Sequence, residues 1–212
     1  TASLVPGSGD GEGPYAPGTF AGIAPGASLV MIEDFNSFAS EEQAQLAWEH
    51  GVRVSNNSWG SSLFSYSALS AVWDALVRDS DPAISGNQQI SYFFAAGNEG
   101  GGSDDGTGGT AGTVSSPGNA KNLITVGAIE NLRNADNLDG ALEQSDTDWQ
   151  VAGFSGRGPV TGTDFRTKPD IVAPGGDVMS IQSRDQPQSP DDFLDPEDIF
   201  ERDLRITFKP EQ

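Results

Sequence analysis

The sequence predicts an α/β fold built on a mainly parallel sheet flanked by helices. Short apolar runs alternate with amphipathic ones in the order strand, helix, strand, helix, strand, which in one sheet gives parallel strands with right-handed crossovers. The 27 glycines and 13 prolines among 212 residues supply many tight connections. A chain of this length reads as one domain with a core of its own.

The elements come in order along the chain. Ala27–Ile32 is short, apolar and followed by acids, as a buried strand would be. Ser40-Glu41-Glu42-Gln43 reads as a capping box that opens a helix through Ala44, Ala47 and Trp48 to a stop at Gly51. Val52–Val54 is the next strand. Leu69, Val72, Trp73, Leu76 and Val77 repeat at the spacing of a helix with one buried face. Ile90–Ala96 and Leu123–Ala128 are further strands, and Asp170–Ala173 is a short extended piece before Pro174. Residues 100–112 form a glycine-rich flexible loop. After Ser183 the composition turns acidic and linker-like, so residues 1–183 are expected to form the domain and 184–212 an acidic tail or insertion.

Charge excludes several functions. Thirty-one acids against eleven bases leave a formal net charge of −20 and a pI near 4.1. Such a surface repels nucleic acid, which is bound through basic patches. It also repels itself at low salt, and the only lysines are Lys121, Lys168 and Lys209, which together point to a salt-adapted protein, with a calcium-binding secreted protein as the alternative. No run of about 18 apolar residues offers a membrane span. Cysteine is absent, so disulfides and thiolate metal sites are excluded.

The stretch Tyr92-Phe93-Phe94-Ala95-Ala96-Gly97-Asn98-Glu99-Gly100 passes from apolar strand to small residues and a carboxamide. Gly and Asn are common turn formers. In open parallel sheets, however, ligands bind beyond the carboxyl ends of the strands, which is where Asn98 stands.

Six segments in order resemble those of subtilisin-family serine proteases. They are Gly22–Ala27 (GIAPGA), Asn56–Gly60 (NNSWG), Ala95–Gly100 (AAGNEG), Ser116–Ala120 with Leu123–Ala128, Phe154–Pro159 (FSGRGP) and Lys168–Gly175 (KPDIVAPG). The resemblance covers residues 22–175 and implies a three-layer subtilisin-like fold, here incomplete. It implies a serine endopeptidase acting on peptides or proteins, secreted, monomeric and needing no cofactor. Asn98 would be the oxyanion donor. Ser58, Trp59 and Gly60 would form the edge that pairs with substrate, although Trp59 also suits a plain core aromatic. Ala95, Ala96, Gly97 and Ser115 would wall a roomy, largely apolar pocket for the residue before the scissile bond.

The pattern breaks at the catalytic triad. No D-[TS]-G, H-G-T-H or G-T-S-M-A segment is present. Thr1-Ala2-Ser3 resembles the residues just after the family's histidine, and Val178–Ser183 resembles the approach to its serine. His50, the single histidine, ends the first helix, where a cation suits the helix dipole. Gly153-Phe154-Ser155-Gly156-Arg157 mimics a nucleophile elbow but has Arg157 where that motif wants glycine. The chain alone is therefore expected to be inactive, and a peptide-binding scaffold without catalysis is the alternative. Family members often carry structural calcium. Asp10, Glu12, Asp104 and Asp105 have the right oxygens but no calcium-motif spacing, so they read as solvated acids.

Overall fold

The computed structural model describes residues 23–24, 26–32, 39–103, 105–131, 147–162 and 166–176. Two compact units divide the chain, and almost everything described lies in the one containing Ser28–Val178. Of the other unit the described part is a turn closed by Ala27 N–H donating to Ala24 O at 3.0 Å. The expected boundary at Ser183 falls outside the described residues.

Among the described residues six elements succeed one another: α1 (Ser40–Glu49), β1 (Val54–Asn57), α2 (Ala68–Leu76), β2 (Ser91–Ala95), β3 (Ile124–Ile129) and β4 (Ile171–Pro174). The strands form one four-stranded sheet in the order β1-β2-β3-β4. Every neighbouring pair is parallel, with Val54 opposite Ser91, Phe93 opposite Ile124 and Val126 opposite Ile171. This is the expected α/β architecture, an incomplete three-layer fold.

Three elements differ from expectation. Ser28–Ile32 forms no strand ladder among the described residues, and Val30 and Met31 remain 40% and 38% exposed. An apolar run becomes a strand only when a neighbour takes up its backbone groups, and β1 does not pair with this one. The α1 cap sits one residue early. The N-cap is Ala39, and its N–H donates to the Glu42 carboxylate at 3.0 Å. Half of a capping box is present, because alanine has no oxygen to return. The strand expected at 52–54 begins at Val54 instead. Val52 N–H still donates to Ala47 O at 2.9 Å as part of the helix exit, and the strand runs on through two asparagines. Asparagine is poor in strands. Asn57 compensates by donating from Nδ2 to Phe93 O on the neighbouring strand at 3.3 Å.

The core lies between this sheet and the helices. Ala44 and Ala47 of α1 and Trp73 and Leu76 of α2 meet Ile90, Tyr92, Phe94 and Leu123. Trp73 is the centre, edge-on to Tyr92 at 4.9 Å and to Phe94 at 5.0 Å between ring centroids. Such pairs add about 1 kcal/mol each beyond the area they bury. Burial pushes the Tyr92 phenol up from its ordinary value, and a hydrogen bond with Ser80 works against that shift.

Buried polar groups then fix the strand ends. Asp74 on α2 accepts from Tyr66 Oη at 2.8 Å and from Asn122 N–H at 2.6 Å, tying the helix to the turn before β3. Lys168 is buried and donates from Nζ to Leu123 O at 2.9 Å and to Asp170 at 2.6 Å. Asp170 in turn accepts from Thr125 N–H at 2.7 Å. The Lys-Pro-Asp segment is thus a clamp that starts β4 in register with β3.

Candidate functional site

β2 is an interior strand, and the cleft opens where it ends. A cavity of about 440 Å³ is lined by Ser58–Ser62 on one side, by Ala95, Gly97, Asn98 and Glu99 on another, and by Ser115 and Gly175. That volume is within the usual range for a ligand pocket, roughly 300–1,000 Å³.

Backbone bonds hold these walls together. Ser115 N–H donates to Ala96 O at 3.0 Å, and Ser116 N–H donates to Leu63 O at 2.7 Å. Ser61 returns a bond to Ser116 O from its N–H at 2.7 Å and from Oγ at 3.1 Å. The 115–116 segment therefore binds the edge at 58–63 to the end of β2. Its closeness depends on two glycines. A Cβ on Gly60 would lie 2.5 Å from Ser115 Oγ. One on Gly97 would lie 2.7 Å from Glu99 Oε2 and 3.0 Å from Ser115 Oγ, and Gly97 also has φ +97°. Either side chain would push into the cleft floor.

Of the eight residues the sequence singled out, seven line this cleft: Ser58, Trp59, Gly60, Ala95, Gly97, Asn98 and Ser115. Ala96 does not. Strand residues alternate faces, so Ala95 faces the cleft while the Ala96 side chain is 2% exposed and only its carbonyl serves the site. Trp59 has both characters weighed for it, lining the cleft while packing edge-on against Phe94 at 5.1 Å and Trp73 at 5.9 Å. Asn98 is exposed, and its carboxamide makes no hydrogen bond to any described residue. Its backbone N–H donates to Glu99 Oε2 at 2.9 Å. The expectation of a largely apolar pocket needs correction. Four serines, Asn98 and Glu99 line it, so it is polar with one carboxylate. Glu99 was legible beside Asn98, whereas nothing in the pattern marked Ser61, Ser62 or Gly175.

The Subtilase family matches residues 1–196 of the 212. The chain belongs to the subtilase family. Serine protease AprX of Bacillus subtilis (strain 168) is similar, 30% identical over 185 residues covering 81% of this chain and 37% of the relative. The chain thus spans well under half the length of that curated relative.

Two residues weighed for catalysis carry structure instead. Ser155, in Phe154–Pro159, is 1% exposed, and its Oγ accepts from Ala128 N–H at 3.0 Å, which holds β3. His50 sits at the C-cap of α1 with Nδ1 2.9 Å from Leu46 O. Neither lines the cleft. Among the described residues no three His, Cys, Asp or Glu side chains gather as a metal site requires. Asp10, Glu12 and Asp104 lie outside the described residues. Asp105 is exposed and accepts from Thr107 Oγ1 at 2.6 Å and Thr107 N–H at 3.0 Å, and these bonds lower its pKa. No helix among the described residues is long and apolar enough to cross a membrane.

Proposed function

We propose that this chain is the oxyanion and substrate-binding part of a secreted, monomeric, salt-adapted serine endopeptidase. One observation carries the reading. Asn98 stands at the rim of a cleft at the carboxyl end of β2, with a carboxamide that no described residue occupies.

When a nucleophile attacks a peptide carbonyl, the oxygen gains charge, and a fixed donor aimed at it lowers the barrier. Asn98 Nδ2 is that donor. The bond from Asn98 N–H to Glu99 and the bond from Gly156 N–H to Gly97 O at 2.9 Å support its backbone from both sides. Substrate backbone runs along Ser58-Trp59-Gly60 as an added strand. The side chain before the scissile bond enters the cleft between Ala95, Gly97 and Ser115. The chemistry uses no cofactor. Nucleophile, base and orienting carboxylate come from outside these 212 residues, since none of the three triad motifs occurs in them. The net charge of −20 supports the salt-adapted part of the reading.

The test is Asn98→Ala in the full-length protein, assayed on peptide substrates. Turnover is expected to fall about 10²–10³-fold with KM nearly unchanged, a magnitude taken from subtilisin itself rather than worked out from this structure. A rise in KM at constant kcat would overturn the oxyanion role.

A further inference from the structure

Behind the cleft floor lies a chain of hydroxyls, half-buried at Ser67 and fully buried beyond it, for which the substrate-binding reading gives no role. Ser70 and Ser116 are each 0% exposed, as is Asn119. Ser70 Oγ donates to Asn119 Oδ1 at 2.6 Å. Ser70 Oγ lies 2.9 Å from Ser116 Oγ, and Ser116 Oγ lies 2.7 Å from Ser67 Oγ.

Each hydroxyl has one hydrogen, so one assignment fixes the rest. Ser70 gives its hydrogen to Asn119, Ser116 then gives its own to Ser70, and Ser67 gives its own to Ser116. Ser67 Oγ is left to accept from Ser70 N–H at 3.3 Å as the N-cap of α2. The chain of donors runs one way, from the start of α2 into the turn at 115–119.

That turn carries the cleft floor. Asn119 N–H donates to Ser115 O at 3.0 Å, closing the turn on which Ser115 stands. The Asn119 side chain has a single hydrogen bond among the described residues, the one from Ser70, and its Nδ2 is buried without a partner. Without the Ser70 hydroxyl, both ends of a fully buried carboxamide would lack partners, and the strain would fall on the turn itself.

We propose that Ser70 is a positioning residue for substrate selection. Resting on the endopeptidase reading above, it holds Ser115 against Gly60 and Gly97 through Ser116 and Asn119, and so sets how the cleft grips the side chain before the scissile bond. Ser70 touches no substrate. It lies one layer behind the wall, on the apolar side of α2 beside Trp73.

The experiment uses the full-length protein with Ser70→Ala and, as a control, Ser80→Ala. Ser80 is also 0% exposed, and its Oγ donates to Leu76 O at 2.8 Å and lies 2.9 Å from Tyr92 Oη. It is a buried hydroxyl just past the opposite end of α2, and losing it costs similar stability without touching the 115–119 turn. Two readouts are taken. The first is kcat/KM for peptide p-nitroanilides differing only in Phe or Ala before the scissile bond. The second is amide hydrogen exchange over residues 113–120.

Ser70→Ala is expected to lower the Phe-to-Ala preference about tenfold, through a higher KM for the Phe substrate, and to speed exchange in 113–120. Ser80→Ala is expected to leave both unchanged while lowering the melting temperature comparably. Equal changes in the two variants, or none in Ser70→Ala, would overturn the proposal. Wild-type protein that cleaves neither substrate would refute the endopeptidase reading and with it the role in selection. The exchange comparison would then decide by itself whether Ser70 holds the turn.

Discussion

Replacing Gly97 with alanine tests how the end of β2 is built. Two costs add. With φ at +97°, a Cβ costs about 1 kcal/mol of backbone strain. The new atom would also sit 2.7 Å from Glu99 Oε2 and 3.0 Å from Ser115 Oγ. Glu99 is on a flexible side chain and yields, giving up its bond to Asn98 N–H at about 1 kcal/mol. Ser115 is 3% exposed and has little room to shift, which adds about 1 kcal/mol of overpacking. The sum is about 3 kcal/mol. Gly51→Ala is the matched control, because φ there is +79° and nothing lies within 4 Å of the new atom, so only the strain remains. In thermal melts of the full-length protein, each kcal/mol moves a domain of this size by roughly 2–4 °C. Gly97→Ala is therefore expected to melt about 4–8 °C below Gly51→Ala. Equal melting temperatures for the two variants would refute the contact argument and leave only backbone strain.

Two further outcomes are expected. Lys168→Met removes the cation that joins Leu123 O to Asp170, and should cost about 2 kcal/mol in denaturant unfolding, since the Asp170 side chain is 39% exposed and is partly rehydrated; a neutral result would mean that the clamp does not hold β4. The melting temperature should rise with added NaCl or KCl as the net charge of −20 is screened, and a flat response from low to multimolar salt would remove the salt-adapted reading.

The legible parts of the fold were those written in periodicity. β2 and β3 lie within one residue of expectation because Tyr92 and Phe94 of β2 pack with Leu123, the residue just before β3. α2 shows its buried face through Trp73 and Leu76. Ser28–Ile32 misled because an apolar run does not reveal whether a partner strand lies beside it. β1 misled because Asn56 and Asn57 are strand residues on account of their cross-strand bonds, which local propensity does not register. At the site, the motifs located seven cleft residues, but strand alternation turned Ala96 away. The hydroxyl chain from Ser67 to Asn119 joins residues about fifty positions apart, and no local pattern announces it. A serine on the apolar side of α2 was the only hint.

The most direct test of the central claim is labelling with a serine-directed fluorophosphonate, applied in parallel to this 212-residue chain and to the full-length protein. A labelled full-length protein and an unlabelled chain are expected, because on the proposed reading the chain would supply the oxyanion donor and the cleft while the activated nucleophile comes from elsewhere. Labelling of this chain at one of its own serines, or of neither protein, would contradict it.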